Sequence, residues 1–226
     1  SHMKKAKEKQ NQIQFDNYTK EPVTLGPYTS HMYRNDPKHL GFLFARYKFV
    51  SKMLSSKSEV LEVGCGDATG SPLVAAQVKK LHCVDFEPLL MEDNRTRLKE
   101  YKNIDFSLLD ITRQSYSKPC DAVFSLDVIE HIPKKLESSY FKNICRSLKP
   151  TGICIIGTPN IEAKKYASSA SSAGHINLKS YQDFLNFLGT YFVNSFLFSM
   201  NDEIVHTGYY PMAHYLLGMG VGVKNK

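Results

Sequence analysis

A chain of 226 residues, 42% hydrophobic and 23% charged, has the size and composition of one globular α/β unit with a full core. No apolar run approaches the ~20 residues that a membrane span needs, and no signal peptide precedes the charged opening Lys4-Lys5-Ala6-Lys7-Glu8-Lys9, so a cytoplasmic location is expected. The net charge of +7 gathers partly in that opening, which favours a solvated end over a nucleic-acid surface, and five scattered cysteines without a C-x-x-C pair exclude a disulfide framework or a cysteine metal cage.

In chain order, Ser1, His2 and Met3 read as the scar of a cleaved tag, with native sequence expected from about Met3, and residues 1–12 as a disordered basic tail. Residues 13–226 are expected to form a single domain whose 13–57 segment is an arm and lid helix. Up to residue 36 the chain is polar, tyrosine-bearing and broken by Pro22, Gly26 and Pro27. From Pro37, the residues Leu40, Leu43, Phe44, Tyr47, Val50, Met53 and Leu54 recur at helical spacing and predict an amphipathic helix that ends near Ser55 to Ser58.

Short apolar runs follow at Val60–Val63, Leu81–Val84, Phe106–Leu109, Ala122–Phe124 and Ile153–Ile156, with helix-like sequence between them. This alternation predicts a parallel sheet with crossover helices on both faces. Residues 161–178 read as an Ala- and Ser-rich loop, Ser180–Leu188 as a helix, and Tyr191–Phe198 and Tyr215–Val223 as an antiparallel edge, although Gly218, Gly220 and Gly222 weaken the last strand. The expected architecture is a Rossmann-like, mostly parallel seven-stranded sheet, and no internal repeat interrupts it.

Carboxylates stand at the ends of the first four runs: Glu62 within Glu62-Val63-Gly64, then Asp85, Asp110 and Asp127. Ligands of open α/β sheets bind outside the C-terminal strand edges, so acids collected there imply a ligand with several hydrogen-bond donors. Gly64 and Gly66 allow a tight turn and a close approach of ligand to backbone. Asp85, about twenty residues after them, is placed to accept bonds from ribose hydroxyls. An ordinary strand-to-helix turn is the plainer alternative for the glycine pair alone.

These residues resemble motif I, acid-x-Gly-x-Gly, of the class I S-adenosylmethionine-dependent methyltransferases, and the resemblance runs from roughly residue 38 to 160. It implies that Gly64 and Gly66 pass beside the methionine part of the cofactor, that Asp85 holds the ribose, that Asp110 and Ile111 receive the adenine edge, and that Phe86 flanks the adenine ring. Glu62 and Leu126 join this cofactor set, and Arg46, on the arm side, is a candidate to pair with the methionine carboxylate, the alternative being an arginine that only covers helix surface. Ala68 stands where many members have a third glycine. A nicotinamide dehydrogenase would need glycine at 69, where Thr69 stands.

After the fourth run comes Ser125-Leu126-Asp127-Val128-Ile129-Glu130-His131-Ile132-Pro133. A helical turn there would put Asp127, Glu130 and His131 on one face, able to chelate Mg²⁺ or Mn²⁺. The stretch resembles the Glu-x-x-Glu-His metal motif of ubiquinone O-methyltransferases, with Asp127 replacing the first glutamate. Alternatively Asp127 caps the turn, Glu130 is solvated, and His131 acts alone or packs. Methyl transfer needs the acceptor held in line and its proton removed. His131 is the first candidate base and His175, in Ala173-Gly174-His175-Ile176-Asn177, the second. Tyr18, Tyr28 and Tyr33 are candidates to close over the cofactor, and His206, Tyr209 and Tyr210 to line the acceptor pocket.

The expected activity is O-methylation of a small polar acceptor. The arm, the Gly-His loop and the Tyr-rich tail are similar to methyltransferases of bacterial surface-polysaccharide clusters, including those of capsule O-methyl phosphoramidate, which implies a sugar, nucleotide-activated or phosphoramidate intermediate. An RNA-modifying enzyme or a non-catalytic cofactor-binding module are the alternatives. The Asn/Asp-Pro-Pro-aromatic signature of amino-group enzymes is absent at Ser125-Leu126-Asp127-Val128, so nucleic acid is not the expected partner.

Overall fold

The apolar runs are rich in Val, Ile and Phe, which suit a buried pleated surface, and the computed structural model pairs them into a sheet. It describes residues 5–167 and 169–224, so the Ser1-His2-Met3 segment lies outside the described residues. In chain order come α1 (Lys9–Lys20), α2 (Pro27–Asn35), α3 (Lys38–Met53), β1 (Glu59–Val63), α4 (Ser71–Ala75), β2 (Lys80–Asp85), α5 (Pro88–Arg97), β3 (Ile104–Leu108) and β4 (Cys120–Leu126). A 3₁₀ turn at Ile129–His131 leads into α6 (Lys134–Arg146), β5 (Leu148–Pro159), a second 3₁₀ segment at Ile161–Tyr166 and α7 (Ser169–Ser172). The chain closes with α8 (Tyr181–Tyr191), β6 (Phe192–Asn201), β7 (Ile204–His206), a 3₁₀ turn at Tyr210–Met212 and β8 (Tyr215–Val223).

The sheet has eight strands in the order β3-β2-β1-β4-β5-β8-β6-β7, against the seven expected. The additional strand, β7, has only three residues and pairs antiparallel with β6, too short to leave a periodic signal. The first five strands in that order are parallel, β8 pairs antiparallel with β5, and β6 pairs antiparallel with β8 and so runs in the same direction as the first five. The chain leaves the β1–β2–β3 side and returns at β4, which makes the β1/β4 boundary the topological switch point where a crevice opens.

The arm is the second departure from expectation. Residues from Lys9 are helical rather than disordered, with no buried side chain in α1, where straight-chain residues of good helix propensity and the Gln12–Asp16 side-chain bond at 2.8 Å support the turn pattern. Pro27 starts α2 instead of breaking structure, since proline at the first helical position loses no needed hydrogen bond. The helix predicted from Pro37 is α3, which buries Arg46, Tyr47, Val50 and Ser51 on one face.

Strand alternation divides the core into two faces. Val60, Leu81, Ala122 and Phe124 pack beneath α3, α4 and α5, whereas Leu61, Val63, Val123 and Cys154 meet Tyr140, Phe141 and Ile144 of α6 and Phe184 and Leu188 of α8. Each of these large side chains contributes about 1.5–3 kcal/mol of burial, which holds the crevice walls in place. Among the described residues no helix is long and apolar enough to cross a membrane.

Candidate active site

β1 ends in a turn that side chains would obstruct. Gly64 has φ +73° and a Cβ added there would meet Val128 Cγ2 at 2.3 Å, while Gly66 has φ +56°. The Gly64 and Cys65 amides donate to Val84 O at 2.8 and 3.1 Å, and the Gly66 amide donates to Asp85 Oδ2 at 3.0 Å. Asp85 Oδ1 accepts from the Glu87 amide at 3.1 Å, so the carboxylate is held by backbone at the end of β2. Ala68, at the position of the missing third glycine, adopts the same left-handed backbone with φ 54° and is fully buried.

Above this turn lies a cavity of about 1100 Å³, large enough for a nucleoside-sized ligand together with a small acceptor. Gly64, Gly66, Asp85, Phe86, Asp110, Ile111 and Leu126 all line it. Phe86 is 72% exposed, free to lie against a planar ring, and Asp110 is oriented by the Thr112 amide and hydroxyl at 2.9 and 2.6 Å. The lid contributes Tyr28, and the arm is pinned by the Thr29 amide donating to Asp67 Oδ2 at 2.8 Å. Tyr18 and Tyr33 are exposed and lie outside the cavity lining.

Glu62 does not reach this cavity. Strand alternation turns it to the face covered by α3 and α4, where it accepts from Tyr47 and Ser71 hydroxyls at 2.6 Å each. Burial pushes its carboxyl up to about 7, against those hydrogen bonds. Its place is beneath the turn, fixing the lid helix and α4 to β1.

The segment after β4 also differs from the expected single helical face. Asp127 has φ 57°, outside the 3₁₀ turn, and its Oδ2 accepts from Arg46 Nη1 at 3.0 Å. The Arg46 guanidinium lies 3.7 Å over the Tyr215 ring centre, so Arg46 is engaged by Asp127 and Tyr215 instead of standing free for a ligand carboxylate. Asp127 therefore does not join Glu130 and His131 as a third donor, because its charge compensates a guanidinium with only 10% of its side chain exposed. Glu130 is fully buried rather than solvated. Burial, and then the charge of Asp127, push its carboxyl up to about 9.

In place of Asp127 the structure brings His175 to the site. The Ile176 and Asn177 amides donate to the Glu130 carbonyl at 2.9 and 3.0 Å, which fastens the loop after β5 onto the 3₁₀ turn. His131 Nδ1 donates to Gly174 O at 2.9 Å, and the two imidazole rings stand 5.2 Å apart. His175 is held below the usual histidine value by burial and by neighbouring His131. Both histidines line the cavity, as do Lys38, His39, Lys164 and His214, which the sequence reading missed. His39 and Lys38 open α3 with no local motif to mark them, and burial and then Arg46 hold His39 low. His206, Tyr209 and Tyr210 lie outside the lining: His206 bonds Asn201 at 2.8 Å and Tyr210 stacks on Tyr181 at 4.2 Å.

Residues 60–152 match the family model described as a methyltransferase domain. A ubiquinone biosynthesis O-methyltransferase of Rickettsia akari is 29% identical over 147 residues, which cover 64% of this chain and 57% of that protein. A probable S-adenosylmethionine-dependent methyltransferase of Mycobacterium tuberculosis is 25% identical over 122 residues, covering 53% of this chain and 43% of that one. The chain thus spans about half the length of the curated relatives it matches. In fold, it is similar to the N-methyltransferase NodS of Bradyrhizobium japonicum, solved with S-adenosyl-l-homocysteine, at TM-score 0.62 and 16% identity over 84% of this chain and 90% of that one.

Proposed function

From the premise that this chain belongs to the class I S-adenosylmethionine-dependent methyltransferases, we propose that it methylates an oxygen of a small, polar, oxygen-rich acceptor such as a sugar, nucleotide-activated or phosphoramidate intermediate. The observation that carries this reading is one cavity lined both by a glycine turn with carboxylates at successive strand ends and by the Glu130–His131–His175 group.

The residues present suit the cofactor. Gly64 and Gly66 leave the turn open to close approach, Asp85 and Asp110 offer oriented carboxylate oxygens for hydroxyl and amino donors, Ile111 and Leu126 supply apolar walls, and Phe86 a ring face. The bound sulfonium supplies the methyl group. What this chain adds is position and proton removal: Lys38, Lys164 and the cavity histidines can orient acceptor oxygens, and the Glu130–His131–His175 group takes up the hydroxyl proton as the carbon–oxygen bond forms. His131 offers the better-defined base. Its Nδ1 must be the protonated nitrogen because a carbonyl only accepts, which leaves the Nε2 lone pair free.

The test is to incubate the protein with methyl-labelled S-adenosylmethionine and nucleotide-sugars, phosphoramidates, quinone precursors or total RNA. Label in the first two classes is expected. Label confined to RNA, or to the quinone precursors, would overturn the acceptor assignment.

A further inference from the structure

Resting on the acceptor reading above, we propose that the Tyr215 hydroxyl is a specificity-determining contact, donating a hydrogen bond to an acceptor oxygen that stands beside the one methylated. Tyr215 opens β8 and lines the cavity with only 2% of its surface exposed. Its ring already has a task, since the Arg46 guanidinium lies 3.7 Å over the ring centre. A phenylalanine would offer the same face without burying a polar group. The hydroxyl needs a separate explanation, because Tyr215 Oη is buried with no hydrogen-bond partner. A hydroxyl left unpaired in the wall of a ligand cavity is costly until a ligand satisfies it.

Strand geometry puts this hydroxyl on the border between the cofactor and acceptor halves. β8 runs antiparallel to β5, so its first residue pairs with Pro159 at the edge where β4 and β5 end. Gly64, Gly66, Asp85 and Asp110 stand at or just beyond the ends of β1, β2 and β3. β8 lies three strand intervals from β1, about 14 Å across the sheet. The tyrosine side chain reaches back toward β4: a Cβ on Gly157 would lie 2.3 Å from Tyr215 Oη and 2.7 Å from Leu126 Cδ2. The missing side chain at Gly157 therefore makes room for the hydroxyl beside Leu126, the last residue of β4 and part of the cofactor wall.

Burial and then the charge of Asp127 hold the phenol well above its ordinary value, so at neutral pH it is an O–H donor. Asp127 Oδ2, the nearby carboxylate oxygen, already accepts from Arg46. A donor set on the nucleophilic oxygen would occupy a lone pair and weaken the attack. Set on the neighbouring oxygen, it turns the acceptor without that penalty and keeps the attacking atom in line with the methyl carbon. The acceptor then belongs to a class with a second oxygen next to the methylated one, such as a sugar diol or a phosphoryl group.

Tyr215→Phe removes the hydroxyl and keeps the ring under Arg46. In the free protein its urea midpoint should equal or exceed that of the unaltered chain, because no hydrogen bond is lost, and its affinity for S-adenosyl-l-homocysteine by calorimetry should stay within about twofold. With methyl-labelled S-adenosylmethionine and the nucleotide-sugars and phosphoramidates, kcat/KM for the acceptor should fall about tenfold or more while KM for S-adenosylmethionine holds. A lower midpoint or a failure to fold would give the hydroxyl a structural partner such as Asp127, and a roughly tenfold loss of S-adenosyl-l-homocysteine affinity would give it to the cofactor. Either result overturns the assignment. Equal kcat/KM in the two chains overturns it as well and leaves the acceptor reading intact. If the unaltered chain binds S-adenosyl-l-homocysteine but labels neither acceptor class, the acceptor reading fails and this contact fails with it.

Discussion

Arg46 Nη1 donates to Asp127 Oδ2 at 3.0 Å, joining the lid helix α3 to the segment that leaves β4, and both residues line the cavity. The pair is unequal in exposure, 10% of the arginine side chain against 32% of the aspartate, so the guanidinium depends on a partner that water partly screens. Removing that partner strands a buried charge whose Nε already has no hydrogen bond. Asp127→Asn tolerates the left-handed backbone and isolates the charge. It should lose roughly 1–3 kcal/mol in urea unfolding, below the value for a fully buried pair. An unchanged midpoint would mean that the Tyr215 ring alone supports Arg46.

A steric prediction follows at the turn after β1. Gly64→Ala meets both a backbone at φ +73° and a 2.3 Å approach to Val128 Cγ2. Left-handed strain of about 1–2 kcal/mol and overpacking of about 1–3 kcal/mol should combine to cost roughly 2–5 kcal/mol. Adding Val128→Ala should recover the packing part and leave the strain. Equal stability of the single and double variants would show that overlap with Val128 is relieved without cost.

The turn was legible because its chemistry is local: glycines, a following acid and an apolar run all fall within one stretch of sequence. The strands β1 to β6 and β8 were legible from periodicity for the same reason, while β7 was too short to register. Glu62 was misplaced because proximity to the glycines in sequence hides the alternation that turns it into the core. The Asp127–Glu130–His131 face rested on an assumed helical turn, whereas the strand continues to Leu126 and Asp127 breaks away in a left-handed conformation. Partners from afar were invisible: nothing local announces that Arg46 meets Asp127 or that His175 arrives beside His131 across a long loop.

Asp85 carries the clearest cofactor prediction. Its oxygens already accept from the Gly66 and Glu87 amides, so Asp85→Asn replaces one acceptor by a donor in the middle of that array. Hydrogen bonds to charged groups contribute about 1.5–3 kcal/mol, so affinity for S-adenosyl-l-homocysteine should fall roughly 10–100-fold by calorimetry. Affinity within twofold of the unaltered chain would remove Asp85 from the cofactor site.

Far from the cavity, His82 sits 5% exposed between two carboxylates, with Nδ1 at 2.9 Å from both Asp105 oxygens and Nε2 bonded to Glu59. Each ring nitrogen faces carboxylate oxygens, which accept, so the imidazolium, with a proton on both nitrogens, is the form this geometry prefers. The Asp105 hydrogen bond, opposed by burial and aided by Glu59, raises the His82 pKa. Lys80, paired with Asp105 at 3.2 Å, and the Tyr116 ring at 5.3 Å complete its surroundings. A raised folded value means that the His82 contribution is fully present below the unfolded pKa near 6.5 and is lost as pH rises through the folded value. Glu62, pushed up to about 7, also makes stability fall with rising pH, over the lower window between its unfolded value near 4.3 and that point, so the His82 effect is read as a difference between chains. Stability from urea unfolding should therefore decline more steeply above pH 6.5 in the unaltered chain than in His82→Gln, modestly, because water reaches both carboxylates. Parallel pH profiles for the two chains would mean that His82 is neutral in the folded protein and that one carboxylate holds a proton in its place.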